Sequence, residues 1–435
     1  MKRTIGLFAL CLLSAALFAP ESTRGNTAPA KTAVTFAKHV APILQNRCAE
    51  CHHGGGVAPM ALISYEDVRP WARSIREKVV SRQMPPFHAT GAIGRYHGDP
   101  RLTDAEIETI RAWVDGGAPR GNVRDMPAPR EWKNDWQLGP PDVILKVRKT
   151  YTLKKNDKDQ YAFFVYDQTF PEDIWIKSIV TRPGNPKAVH HGNTHLVPPN
   201  VKVPEDGWFN EDFNPGASGT IMIAGWVPGS NDVLLPEGTA VRIPKGMRFG
   251  IQIHYGPNDR ETTDATSLGL YLAEGLVKKN LRMLFGDRRD LAIPPGDANY
   301  SLTSTSTFST DAVIRFFHVH MHLRGKSYAF RMTYPDGRVE TVFDVPGYDF
   351  NWQRAYILTQ PLRVPKGTKV DFIGVYDNSA KNKFNPDPAQ TIRWGEKTTD
   401  EMMQGRIFYE AADENLNLTV KKGRVLTTAT GSGGQ

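Results

Sequence analysis

The chain has 435 residues, 40% hydrophobic and 23% charged, which suits soluble globular domains and is too long for a single one. Its formal net charge of +8 comes from 54 Lys and Arg against 46 Asp and Glu, with no basic block anywhere. That spread excludes the charge pattern of a nucleic-acid binder.

Residues 1–30 read as a secretory signal. Met1-Lys2-Arg3 precedes an apolar run from Ile5 to Ala19, and residues 21–27 are largely polar. The run is shorter than the about 20 residues of a membrane-spanning helix. Cleavage is expected after Ala19 or Ala30, giving a periplasmic or secreted protein without a stable membrane span. Cys11 falls in this segment, so the exported chain keeps two thiols, Cys48 and Cys51.

Residues 31–125 read as a small helical domain. Cys48-Ala49-Glu50-Cys51-His52 is C-x-x-C-H, in which two thiols attach a c-type haem and the adjacent His is an axial ligand. A zinc site would need a second Cys pair, and none exists. Phe36, Val40, Ile43 and Leu44 form a helical stripe before the motif, with Pro42 as a kink or a turn start. Thr103-Asp104-Ala105-Glu106 is a capping box; Ile107, Ile110, Trp113 and Val114 follow at helical spacing, and Gly116-Gly117 closes the helix. This arrangement resembles the small class I cytochromes c. The expected second axial ligand is Met84, in a Pro-rich extended stretch; Met60, His88 and His97 are weaker rivals. Met/His ligation suits an electron relay.

Residues 126–141 read as a Pro-rich linker, with Trp132 and Trp136 available to pin it to a neighbour. From residue 142 to 425, short β-branched and aromatic runs alternate with Pro/Gly turns, which predicts two all-β sandwich domains. A seam near Ile293-Pro294-Pro295-Gly296 places them at 142–292 and 293–425, with 426–435 a disordered tail.

Two histidine sets lie in the β-rich region. His318, His320 and His322 alternate, so a regular strand puts all three on one face. His190 and His191 are adjacent and would point to opposite faces of a regular strand; joint ligation needs a strand end, a bulge or different ring nitrogens. His254 lies in the apolar run Ile251-Gln252-Ile253-His254-Tyr255-Gly256, and His195 competes for the same set. A late pair, Met402-Met403, adds a thioether, a soft donor that favours Cu(I).

Val189-His190-His191, Ile251-Gln252-Ile253-His254-Tyr255-Gly256, His320-Met321-His322-Leu323-Arg324-Gly325-Lys326 and Thr399-Asp400-Glu401-Met402 occur in the order of the copper type II, ascorbate-dependent monooxygenases. Over about 142 to 412 the chain resembles that family, which contains peptidylglycine α-hydroxylating and dopamine β-monooxygenases. The resemblance implies two jelly-roll sandwiches with one copper each. One copper falls on His190, His191 and His254. The other, which activates oxygen, falls on His320, His322 and Met402. It further implies C–H hydroxylation of a small organic substrate by O2, with ascorbate as the family's reductant. The departures are specific. The animal enzymes' disulfide cysteines are missing here. An Arg that anchors peptide substrate is replaced by His318, and its Asn and Tyr partners by Gln404 and Arg406, so the peptide substrate does not transfer. The fused haem is expected to replace or supplement ascorbate, with the three-His copper as its acceptor and a periplasmic redox partner as its source. The rival reading is a periplasmic haem and copper electron-transfer or copper-binding protein without oxygenase activity.

Overall fold

The computed structural model describes residues 33–426, apart from 55, 57, 131–135, 157, 211, 228–231 and 233. The signal segment, Trp132 and residues 427–435 of the tail lie outside the described residues. The described chain is mostly β-sheet, preceded by a helical module.

In the helical module, Ala41–Arg47, Ala72–Val80 and Asp104–Asp115 pack their apolar stripes around Phe36, Leu44, Val68, Ile110 and Trp113. Pro42 sits at the start of its helix, where its missing N–H costs nothing. The expected capping box is present: Thr103 Oγ1 accepts from the Glu106 N–H, and Glu106 accepts from the Thr103 N–H. Gly117, at φ +87°, follows the helix end.

The module does not stop at a clean edge. Ala89 and Tyr96 are buried in the core of the far β-rich half. The Thr90 N–H donates to Asp344 and the His97 N–H to Ile357, and Phe87 stacks edge-on to Tyr356. Trp136 does pin the linker, lying under the Arg182 guanidinium, and Tyr271 donates to the Gly139 carbonyl.

The first β-rich half has two five-stranded sheets around a shared core that includes Phe164, Phe249, Ile251, Ile253 and Leu268. One of them carries Val189–Val197 (β1) and Arg248–Tyr255 (β2) side by side. The second half has two four-stranded antiparallel sheets around Phe317, Phe330, Phe343 and Phe372. Ala312–His320 (β3) pairs there with Gln404–Ala411 (β4). The seam lies earlier than residue 293. Arg282–Asp287 already pairs with β4 in the second half, and its register along that strand packs half-buried Leu284 against the core. Near the C-terminus the chain returns to the first half: Leu418–Lys421 pairs with Gly275–Val277, and Val420 packs on Trp175.

Candidate metal centres

His190, His191 and His254 form one cluster, their ligand atoms all within 4.8 Å of one another. The local reason is a β-bulge. Along the β1–β2 pair, Val189 faces Tyr255 and His191 faces His254, so His190 is an extra residue on β1. A bulge re-aims the inserted side chain, and both adjacent imidazoles then turn to the same side. The Nδ1 atoms converge: His191 Nδ1 is 3.3 Å from that of His190 and 3.2 Å from that of His254. The outward nitrogens are held from behind. His190 Nε2 lies 3.1 Å from Asn351 Oδ1, and His254 Nε2 lies 3.2 Å from Asp159 Oδ2. Such outer partners fix ring orientation and leave the inner nitrogen for a metal. Tyr161 stacks on His254 at 4.5 Å.

His195 is not in this cluster. It faces Gly250, four residues along β1 from His191, or roughly 13 Å at strand rise. There it lies against Phe163 and 3.3 Å from Thr220 Oγ1.

The second set lies across the cleft. Val319 and Met321 point into the second-half core, which turns His320 and His322 the other way. Their rings are 5.0 Å apart and nearly perpendicular. His320 Nδ1 is hydrogen-bonded to Gln353 Oε1, and His322 Nδ1 lies 3.2 Å from the Asp400 carbonyl. Both bonds leave Nε2 for the cavity. His320, His322 and Met402 line one cavity of about 260 Å³ together with His191, Tyr161 and Phe350. Met403, fully buried, belongs to the hydrophobic core instead.

His318 shares the face of His320 and His322 but has its own partners. His318 Nδ1 accepts from Arg406 at 2.9 Å, and Arg406 also donates to Gln404. His318 and Arg406 border a second, larger cavity of about 660 Å³, which shares Arg406 and Met222 with the first, while Gln404 lines the first. Residues 318, 320 and 322 share a face, but the bond to Arg406 engages the first ring.

Burial favours the neutral form of His190, His191, His320 and His322. It lowers His190, pushes His191 and His320 well down, and brings His322 to about 4, each helped by neighbouring histidines or positive charge. A neutral imidazole binds metal without first losing a proton. Glu401, fully buried, accepts from the backbone N–H groups of His322 at 2.8 Å, Arg324 at 2.6 Å and Met402 at 3.2 Å. One carboxylate thus grips both arms of the second set. Burial pushes it up to about 7, against the pull of those N–H groups and the Arg324 charge.

In the helical module, Cys48 and Cys51 are free thiols. Burial pushes Cys48 up to about 12 and raises Cys51 as well, so both stay protonated. His52 Nδ1 lies 3.0 Å from the Met60 carbonyl, which again leaves Nε2 as the available nitrogen. Met60 packs against the module's core, whereas Met84 is 37% exposed.

Asp159, Phe350, Asn351, Gln353 and Glu401 were not anticipated from sequence. The one sequence signal that could have found the loop carrying three of them is its density of aromatic and amide side chains from Tyr348 to Gln353.

No family model matches the chain, and no curated protein matches it. Among solved structures, PNGF-II aligns with 62% of this chain at 10% identity and a TM-score of 0.27. The alignment spans 64% of the PNGF-II chain. PNGase F, a glycosylasparaginase from Flavobacterium meningosepticum, aligns with 66% of this chain and 100% of its own at 9% identity and a TM-score of 0.26. The infectious bursal disease virus VP2 subviral particle aligns over 64% and 74% at 12% identity and a TM-score of 0.18. Likeness this low does not bear on function.

Proposed function

We propose that the chain is an exported copper-dependent monooxygenase that hydroxylates a C–H bond of a small organic molecule with O2, with electrons delivered through its own c-type haem. The observation that carries this reading is the closeness of two donor sets. His191, a member of the three-imidazole cluster, lines one cavity with His320, His322 and Met402, and the Phe350 ring lies 5.8 Å from His191 and 6.0 Å from His322.

The donors fit copper. Both sets combine imidazoles, one adds a thioether, and neither contains a thiolate, which favours copper over zinc or an iron–sulfur cluster. Copper held at these two sets supplies one-electron exchange and the reduction of O2. The Cys48, Cys51 and His52 set fits haem, because two protonated thiols and an imidazole with a fixed Nδ1 stand in attachment spacing. Covalent haem supplies a further one-electron carrier.

The chain's own residues do the rest. Asn351 and Asp159 hold two of the three converging rings, and Gln353 and the Asp400 carbonyl fix the tautomers of His320 and His322. Glu401 holds the His322 and Met402 backbones together. Phe350 and Tyr161 wall the cleft and limit water near the donors. Gln404, Arg406 and His318 present a polar edge where the cleft meets the larger, mainly apolar cavity, and that edge would orient a substrate.

Full-length protein loaded with copper and haem is the material for the test. With a reductant and a pool of small organic compounds, it should consume O2 and place one labelled oxygen atom from 18O2 in an organic product. Copper-loaded, reduced protein that consumes no O2 would leave an electron-transfer or copper-binding role instead.

A further inference from the structure

Residues 346–355 join Val339–Val345 to Tyr356–Val364, and this one loop contacts both histidine sets and reaches the helical module. The Phe350 ring lies 6.1 Å from His190, 5.8 Å from His191, 6.1 Å from His254 and 6.0 Å from His322. Asn351 holds His190, and Gln353 holds His320. The next residue, Arg354, lies 5.5 Å above the Phe87 ring, and its charge acts on the Cys51 thiol. Gln353, Arg354 and His88 line one small crevice between the helical module and the second half.

The loop is held firmly. Tyr348 accepts from the Met321 N–H at 3.0 Å and donates to the Met321 carbonyl at 2.7 Å. Gln353 Nε2 donates to the Phe350 carbonyl at 2.8 Å, which orients Oε1 toward His320. The Trp352 N–H donates to the Asp349 carbonyl, and the Asn351 N–H to the Asp349 side chain.

Electron tunnelling weakens more slowly along covalent and hydrogen bonds than across empty gaps. From Arg354, one peptide unit, the Gln353 side chain and one hydrogen bond reach His320 through buried protein. The alternative runs back three residues to Asn351, which is exposed, before it meets His190.

We propose that this loop is the electron route from the Cys48–Cys51–His52 haem to the copper pair, and that the first acceptor is the centre held by His320, His322 and Met402. The inference rests on the copper and haem reading above. It replaces the three-His centre, expected from sequence, as the receiving site. In the step, one electron leaves ferrous haem iron, which becomes ferric, and one cupric ion becomes cuprous. No proton moves, and no bond between heavy atoms forms or breaks. An external one-electron donor, a small electron-transfer protein or dithionite in vitro, returns the haem to the ferrous state.

The test uses the full chain carrying haem and copper. Haem is reduced anaerobically with limiting dithionite, and its reoxidation by Cu(II) is followed by haem absorbance, with Cu(II) read by electron paramagnetic resonance. Gln353→Ala should slow reoxidation by an order of magnitude, and Gln353→Glu, which keeps an acceptor for His320, should restore most of the rate. Arg354→Ala touches neither donor set and should also slow the step while copper content stays whole. A rate unmoved by both Gln353→Ala and Arg354→Ala, in protein shown to hold all its copper, overturns the route alone. Slowing by Asn351→Ala with none by Gln353→Ala overturns the choice of acceptor. A chain that takes up no covalent haem or no copper, seen by haem stain and metal analysis before any kinetics, overturns the functional reading as well.

Discussion

His191 faces His254 across the β1–β2 pair, with their Nδ1 atoms 3.2 Å apart. Two ring nitrogens at that distance gain little unless something positive sits between them or one carries a proton for the other. The third nitrogen, on His190, makes a proton-sharing pair an incomplete answer and a metal ion the better one.

His254→Ala should therefore remove one of two bound coppers. Metal analysis should fall from two coppers per chain to one, while the copper–sulfur signal of the other centre persists in X-ray absorption of reduced protein. Loss of that sulfur signal in the same variant would mean that the two sets do not act as separate centres.

The haem motif makes its own prediction. Cys48→Ala or Cys51→Ala should weaken covalent attachment, and the double variant should abolish it. Wild-type haem that extracts freely into acidified organic solvent would refute attachment. Met84→Ala should lower the haem potential by removing a thioether ligand. An unchanged spectrum and potential would shift the axial role to Met60, His88 or His97.

Glu401 ties stability to the second centre. Glu401→Ala frees three backbone N–H groups and leaves Arg324, 1% exposed, without its nearest negative charge. Leaving buried backbone N–H groups without their acceptor costs about 1–3 kcal/mol each. Thermal unfolding should come at a clearly lower temperature, and the sulfur-bound copper should be lost before the other. A variant as stable as wild type would show that the carboxylate grips less than its geometry implies.

Much of this was legible in the sequence, and the reasons for the rest are physical. The Thr103–Glu106 capping box and the β-branched runs are local signals, and local structure follows them. The cluster of His190, His191 and His254 was visible as three residues but not as a geometry. Adjacent strand residues diverge, and only pairing with Arg248–Tyr255 reveals the extra residue that turns them together. Asn351 and Gln353 lie more than 30 residues from the histidines they hold, in a loop without periodicity, so nothing in their spacing announced them. The seam was misjudged because Pro294-Pro295-Gly296 marks a turn inside the second half, while the change of partner at Arg282–Asp287 has no breaker residue.

Met402 and Met403 are neighbours with opposite surroundings, and they give the sharpest check on the second centre. Met402 lines the cleft with His320 and His322, and the Tyr376 hydroxyl holds its carbonyl at 3.0 Å. Met403 is fully buried among the aromatic core of the second half. Two different losses should follow. Met402→Ala should remove the sulfur signal from reduced copper protein and destabilise less than Met403→Ala, since its side chain already borders a cavity. Met403→Ala should leave the sulfur signal intact and cost about 2–5 kcal/mol, the usual range for emptying a core methionine site. X-ray absorption and denaturant unfolding on the same two variants measure both. If Met403→Ala removes the sulfur while Met402→Ala destabilises the fold more, the chain register at this centre is off by one residue, and the assignment of Met402 as ligand fails with it.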